Sequence, residues 1–461
     1  MNKSSSRQPV PWKFMLPLIL STMMNPLNST MLATALVTLC NSFKISIGDG
    51  AILIASLYVT ATIAQPLMGR LADIYNPKKI NVIGLYLVLL ATAVGVAAPN
   101  LGWLIVSRVI LGIGTSAAYP SAMAIINRRY ADEQTAVPGN VLGIVAISSQ
   151  VSMILGPSLG GFLSQIFGWR GILFINIPWV LISLLLFRNI DDFPSLRTKK
   201  DNKAATKMDL VGVLLFTSFL LTSLYVLTGH DYILVATVVA FLKLLGLIFW
   251  EWHHRSPFID FRLLVRKPEL SLVYVRTLAT NYILYLLLNA VPQWIQVVKK
   301  IDPAHSGLIM LPMTITAIAV GLFTARVNKP VFQNVVGVAI MLIACLCTLL
   351  FNAAMSMSMI IAGLVIVGCA DGINMIANQS LLNQEAPSEQ KGVSFGLYRT
   401  AGYIGAIISG SQLKIVFIHG VTDTAFHRLG YFALISAFIL IILLIPLFMM
   451  KKNAVIEMPA R

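Results

Sequence analysis

Charge is what this sequence has least of. Only 11% of its 461 residues are Asp, Glu, Lys or Arg, against roughly a quarter in a soluble domain. With 57% hydrophobic residues, the chain carries more apolar surface than a water-facing core can hide, which excludes a soluble fold. Cysteine is nearly missing as well. Cys40, Cys345, Cys347 and Cys369 show neither metal spacing nor a disulfide framework, and read as small buried hydrophobes. The six histidines all fall in loops or at helix edges. There is no His-Glu-x-x-His, no nucleophile elbow and no Walker-type phosphate loop, so neither an intramembrane enzyme nor direct ATP drive is indicated. No small-residue cleavage site follows the first apolar run, which is therefore read as a span and not as a signal peptide. Period-2 alternation is missing too, and with it a membrane β-barrel.

What is present is a series of apolar runs of roughly 20 residues, each long enough to cross about 30 Å of hydrocarbon as a helix. They predict an all-α polytopic membrane protein with about fourteen transmembrane helices, at roughly 14–38, 50–70, 80–99, 102–126, 140–164, 169–188, 210–229, 232–252, 270–296, 305–325, 332–351, 356–380, 392–415 and 430–450.

The formal net charge is +16, but no basic, aromatic-interleaved domain supports a nucleic-acid partner. Lys and Arg collect instead in alternate loops. Arg70, Lys78 and Lys79, Arg128 and Arg129, the 188–207 stretch, the 255–267 stretch, and Lys451 and Lys452 fall on one side. That asymmetry places both termini in the cytoplasm of a multi-pass protein of the cell (inner, cytoplasmic) membrane. The longest polar stretch reads as a linker. The resulting division is a six-helix bundle over 1–190, a cytoplasmic linker over 191–209, an inserted helix pair over 210–254, and a second six-helix bundle with its tail over 255–461.

Several local patterns carry chemistry. Gly69, Arg70, Asp73 and Lys78 lie in the loop after the second span. Glycine there permits close backbone approach, and Asp73 can pair with arginine or a helix N-terminus, forming a latch between bundles. In the fifth span, Gly156-Pro157-Ser-Leu-Gly160-Gly161 combines a helix-breaking proline with glycines that allow close helix packing. Charges inside spans are costly and point to function. Arg108 lies about six residues inside the fourth span. Arg276 and Arg399 lie nearer the cytoplasmic ends, where a long side chain can snorkel to water. Asp371 is deep in the twelfth span, with Asn374 and Asn378 at i+3 and i+7 on one polar stripe. Tyr58 and Gln65, and Asn281, Tyr285 and Asn289, are further polar positions expected to line a cavity.

The loop Gly69-Arg-Leu-Ala-Asp73 followed by Lys78 and Lys79 resembles the signature of the major facilitator superfamily. Arg108-Val-Ile-Leu-Gly112 is similar to that superfamily's fourth-helix arginine motif, and the 156–161 segment to its antiporter motif. Trp169-Arg170 with Phe174-Ile-Asn176-Ile-Pro178, and Asp209-Leu-Val-Gly212, resemble the fourteen-span drug:proton antiporters of the QacA- and EmrB-like type. The resemblance implies alternating access and a role for Arg108 in proton coupling. It also exposes a departure. The family's first-span aspartate is replaced here by Asn28, which hydrogen-bonds but does not exchange protons. Asp371 is then the candidate displaced acid, able to load and release protons.

The function expected from these features is proton-driven efflux of drugs or toxic small molecules by a secondary transporter that is not an enzyme. The alternative is an organic-anion or metabolite transporter with displaced or absent proton coupling. No cofactor or metal is expected, since a proton gradient supplies the energy. The expected partners are a small-molecule substrate, protons and the lipid bilayer, and the working unit is expected to be a monomer.

Overall fold

A computed structural model describes residues 12–132, 139–190, 209–227, 232–254, 257, 259, 261–327, 329–386 and 391–446. Among them the chain forms helices and no strand. In order these are α1 (Trp12–Phe43), α2 (Ile47–Gly50), α3 (Ile52–Ile74), α4 (Pro77–Val96), α5 (Leu101–Ser116), α6 (Ala118–Asp132), α7 (Gly139–Phe167), α8 (Gly171–Phe174), α9 (Asn176–Phe187), α10 (Leu210–Leu227), α11 (Ile233–His253), α12 (Phe261–Arg266), α13 (Pro268–Val297), α14 (Pro303–Thr324), α15 (Pro330–Leu349), α16 (Met357–Glu385), α17 (Lys391–Phe417) and α18 (Asp423–Ile442).

The helices start where the sequence supplies caps. Asn76 accepts from the Lys78 and Lys79 amides, and Pro77 follows at the first helical position of α4. Asn100, Asp302 and Thr422 cap α5, α14 and α18 in the same way. Each cap satisfies amides that the helix itself leaves open. Gly168, with φ 63°, makes the turn from α7 toward α8, where a side chain would be strained.

Nine helices among the described residues are long and apolar enough to cross a membrane, or ten if the pair Val151–Phe167 and Gly171–Phe187, bent by 118°, counts as one span. The 32-residue α1 and the 27-residue α17 are long enough but richer in polar residues. The surface carries Leu90, Trp103, Ile343, Phe432 and Ile435. In the Ile233–His253 helix only 11% of the apolar window is buried. Such surfaces are stable only against lipid.

Helices α1–α9 pack chiefly on one another, as do α13–α18. The two sets meet along two seams, α7 against α14 and α3 against α17, while α1 also touches α13. The pair α10–α11 lies outside. Phe216 and Leu220 of α10 rest on Ile63 of α3 and Leu397 of α17, so α10 touches both sets. Lys243 of α11 donates to Thr222 Oγ1 (2.7 Å) and Ser218 O (3.4 Å) of α10, so this intramembrane cation ties the pair together.

Candidate functional site

In the first set, three buried amides and a guanidinium converge on the middle of α1. Asn28 donates to Met24 O (2.9 Å) and to Asn176 Oδ1 (2.8 Å), and accepts from Asn176 Nδ2 (3.0 Å). This reciprocal pair uses both Asn28 donors. Arg108, 4% exposed, donates through Nη1 to Asn28 O at 3.2 Å. Its guanidinium also lies within electrostatic reach of the Tyr58 hydroxyl. One helical turn before Asn28, Asn25 donates to Thr115 Oγ1 (2.8 Å).

From Tyr58 the site crosses to the second set. Its ring meets Tyr285 of α13 edge-on, centroids 5.0 Å apart at 61°, and lies 6.0 Å from Tyr403 of α17. The half-buried Asp371 of α16 lies within electrostatic range of Tyr285 and Tyr398. No hydrogen bond or ion pair to Asp371 occurs among the described residues. A line of side chains therefore runs Arg108, Tyr58, Tyr285, Asp371 from one set to the other. Tyr403 adds a second crossing. It donates to Asn25 Oδ1 (3.3 Å) and accepts from Gln65 Nε2 (3.4 Å). Arg399 makes a third, its guanidinium 3.6 Å above the Tyr119 ring of α6.

The polar stripe on α16 does not stay together. Asn378 donates to Thr280 Oγ1 of α13 (3.5 Å), while Asn374 turns away and donates to Gly337 O of α15 (2.8 Å) and Ala370 O. Three residues are 300° of helix, so Asn374 points about 60° away from the Asp371 direction, whereas seven residues nearly close two turns. Asn281 bonds Thr277 O (2.9 Å) and packs on Gly402, and Asn289 bonds Tyr285 O (2.7 Å) with its own oxygen buried and unpartnered. The snorkelling expected of Arg276 does not occur. Arg276 is 0% exposed and donates to Asn334 Oδ1, with Nε and Nη1 buried and unpartnered. It lies eight residues into α13, about 12 Å from the start, too deep for the side chain to reach water past α15.

The glycine motif of α7 serves two neighbours. A Cβ on Gly160 would fall 2.2 Å from Met31 O of α1, and one on Gly156 1.8 Å from Thr30 Oγ1. A Cβ on Gly161 would fall 2.1 Å from Pro303 O of α14, across the seam. Pro157 O accepts from Thr34 Oγ1 (2.8 Å) and lies against Gly307 of α14. At the same end of the molecule, Gly48 of α2 meets Lys414 O of α17 and Ile418 just past its end. Both seams are thus closed at the α2 end. At the opposite end, Gly69 approaches Pro120, and Lys78 donates to Ile190 O (2.5 Å). The side chains of Arg70 and Asp73 lie outside the described residues.

The profile of the Major Facilitator Superfamily matches residues 18–410. The chain belongs to the Major Facilitator Superfamily. It is accordingly a multi-pass membrane transporter of small molecules, not an enzyme. Among relatives of this superfamily member, the uncharacterised transporter YwoD of Bacillus subtilis is 31% identical over 434 residues, covering 90% of this chain and 92% of that one. The multidrug efflux pump SdrM of Staphylococcus aureus is 22% identical over 413 residues, covering 87% and 88%. Among solved structures, the bacterial homologue of the human lysosomal transporter Spinster superposes with a TM-score of 0.66 at 15% identity, covering 95% and 98%.

Four contributors to the site were not singled out from sequence. Asn176 stood only as part of a motif, yet it is the partner of Asn28. Tyr403 and Tyr398 sit among glycines in α17 with nothing local to mark them. Arg128 read as a loop charge. Instead it is buried and donates to Ala72 O (3.0 Å) and Tyr75 O (3.4 Å), closing the C-terminal end of α3 where carbonyls lack helical partners. No cluster of three or more His, Cys, Asp or Glu able to hold a metal occurs among the described residues.

Proposed function

We propose that this transporter exports drugs or other toxic small molecules in exchange for protons, by alternating access. The observation that carries the reading is Asp371, an intramembrane acid with no basic partner among the described residues, within electrostatic range of Tyr285, which meets Tyr58 of the other set. A carboxyl so placed can take up a proton from one compartment and lose it to the other as the sets rock. Similarity to SdrM supports drugs as cargo. The side-chain chemistry at the crossing suits a varied cargo. It offers aromatic faces, amides and the thioether of Met153, 3.7 Å from the Tyr285 hydroxyl.

Counting α1, α7, the α8–α9 segment, α10 and α17 with the nine long apolar helices gives about fourteen spans, with α10–α11 as the inserted pair. With the basic loops cytoplasmic, the α2 end faces outward. The arrangement described is then closed on the outside by Gly48, Gly161 and Gly307.

A second reading, organic-anion or metabolite transport without proton entry, draws on the Asn28–Asn176 pair, which holds no titratable group. Reconstitution separates the two. In proteoliposomes with an imposed pH gradient, the wild type concentrates an efflux substrate against its gradient. Asp371→Asn inserts normally but equilibrates substrate without concentrating it. Gradient-driven accumulation by Asp371→Asn equal to wild type removes Asp371 from the mechanism.

A further inference from the structure

We propose that the preferred cargo is an amphipathic organic anion, its acid group drawn to Arg108 and its ring system laid against Tyr58, Tyr285 and Tyr403. This names the substrate class of the transport site above and rests on that reading.

The argument starts from charge balance. Away from the helix ends, the helices around the crossing hold three guanidiniums, Arg108 (4% exposed), Arg276 (0% exposed) and the half-buried Arg399, against one described acid, Asp371; Glu269 and Glu385 stand at the ends of α13 and α16. Among the described residues the ion pairs are His254 with Asp209 and His305 with Asp302, so none of the three arginines has a carboxylate within 4.0 Å. A buried cation without a counter-ion costs several kcal/mol. All three are partly compensated. Arg276 has Asn334, and Arg399 has the Tyr119 face. Arg108, bonded to Asn28 O, is the one of the three within electrostatic reach of Tyr58. A guanidinium has five N–H donors, and Arg108 makes a single described hydrogen bond, to Asn28 O.

The residue that could have supplied a negative charge is Asn28, and its amide is committed to Met24 and Asn176. Asp371, on α16 of the other set, lies within electrostatic range of Tyr285 and Tyr398 and makes no ion pair with Arg108. A planar guanidinium with unused donors suits a carboxylate or sulfonate. Tyr58, Tyr285 and Tyr403 beside it pack on one another, so their rings become available to a flat body only as the two sets part, and the Tyr58 hydroxyl is buried without a hydrogen-bond partner. A cation entering the same place would add a fourth positive charge opposite one carboxyl group.

The test uses two dyes with the same tricyclic xanthene body and opposite charge, fluorescein and rhodamine 6G, and the purified full-length protein in nanodiscs. Fluorescence polarisation is expected to show saturable fluorescein binding at least roughly tenfold tighter than that of rhodamine 6G. Arg108→Gln should weaken fluorescein by roughly tenfold or more and leave rhodamine 6G unchanged or tighter, and Arg108→Lys should recover part of the loss. Asn28→Asp, which keeps the guanidinium but gives it an internal carboxylate, should weaken fluorescein in the same direction. Tighter binding of rhodamine 6G by the wild type, no fluorescein binding, or equal fluorescein affinity in Arg108→Gln overturns the proposal. If fluorescein binds as expected but no pH gradient drives its flux, the substrate class stands and the proton-driven reading falls.

Discussion

Replacing Gly161 by alanine should shift the transporter between its two faces without unfolding it. The added methyl would lie 2.1 Å from Pro303 O, 2.9 Å from Pro303 C and 3.2 Å from Ala304 Cα. All three atoms are main chain at the rigid, proline-started first turn of α14. No rotamer change relieves the clash, so α7 and α14 must separate at the α2 end. Overpacking of this kind costs about 1–3 kcal/mol. The cost falls on the closed arrangement alone, because the contact lies across the seam that opens. A bias of that size changes the ratio of the two states by roughly 5- to 150-fold. Gly160→Ala is the control. Its methyl would meet Met31 O at 2.2 Å within the same set, in whichever direction the transporter faces. Hydrogen exchange read by mass spectrometry should show faster exchange over residues 300–307 for Gly161→Ala, with a melting temperature close to wild type. Gly160→Ala should lower the melting temperature and leave the balance of states alone. Equal melting losses for the two variants, or unchanged exchange at 300–307 in Gly161→Ala, would refute the reasoning.

Gly48→Ala, whose methyl would meet Lys414 O at 2.4 Å on the other seam, should produce the same exchange signature, and the double variant should add. Asn176→Ala leaves the Asn28 amide short of its partner in a dry interior and should cost about 1–3 kcal/mol, read as a lower midpoint in thermal unfolding. Arg128→Gln removes the charge closing the end of α3 and should cost about 0.3–2 kcal/mol in the same assay. Lys243→Met should leave gradient-driven transport unchanged, since the amine serves α10 alone; a loss of coupling would assign it a role that its contacts do not suggest.

The helices were legible because a span announces itself by length. The run read at about 332–351 is α15 at Pro330–Leu349, and its start is fixed by the proline. The short pieces α2, α8 and α12 were not legible, since four to six residues carry too little periodicity to register. Within the candidate site, Arg108, Tyr58, Tyr285 and Asp371 stood out as polar side chains in greasy surroundings. Their partners did not, because Asn28–Asn176 and Asn25–Tyr403 join positions 148 and 378 residues apart. Burial of Arg276 was misjudged for a related reason. Depth along one helix is written locally, but the neighbour that covers it, α15, is not.

The placement of α10 has a consequence for the route that cargo takes. Phe216 and Leu220 lie over the line where α3 meets α17. A compound dissolved in the bilayer meets a wall on that flank, and sideways entry from the lipid is left to the opposite flank, between α7 and α14. The α10–α11 pair thereby gives the transporter a front and a back within the plane of the membrane.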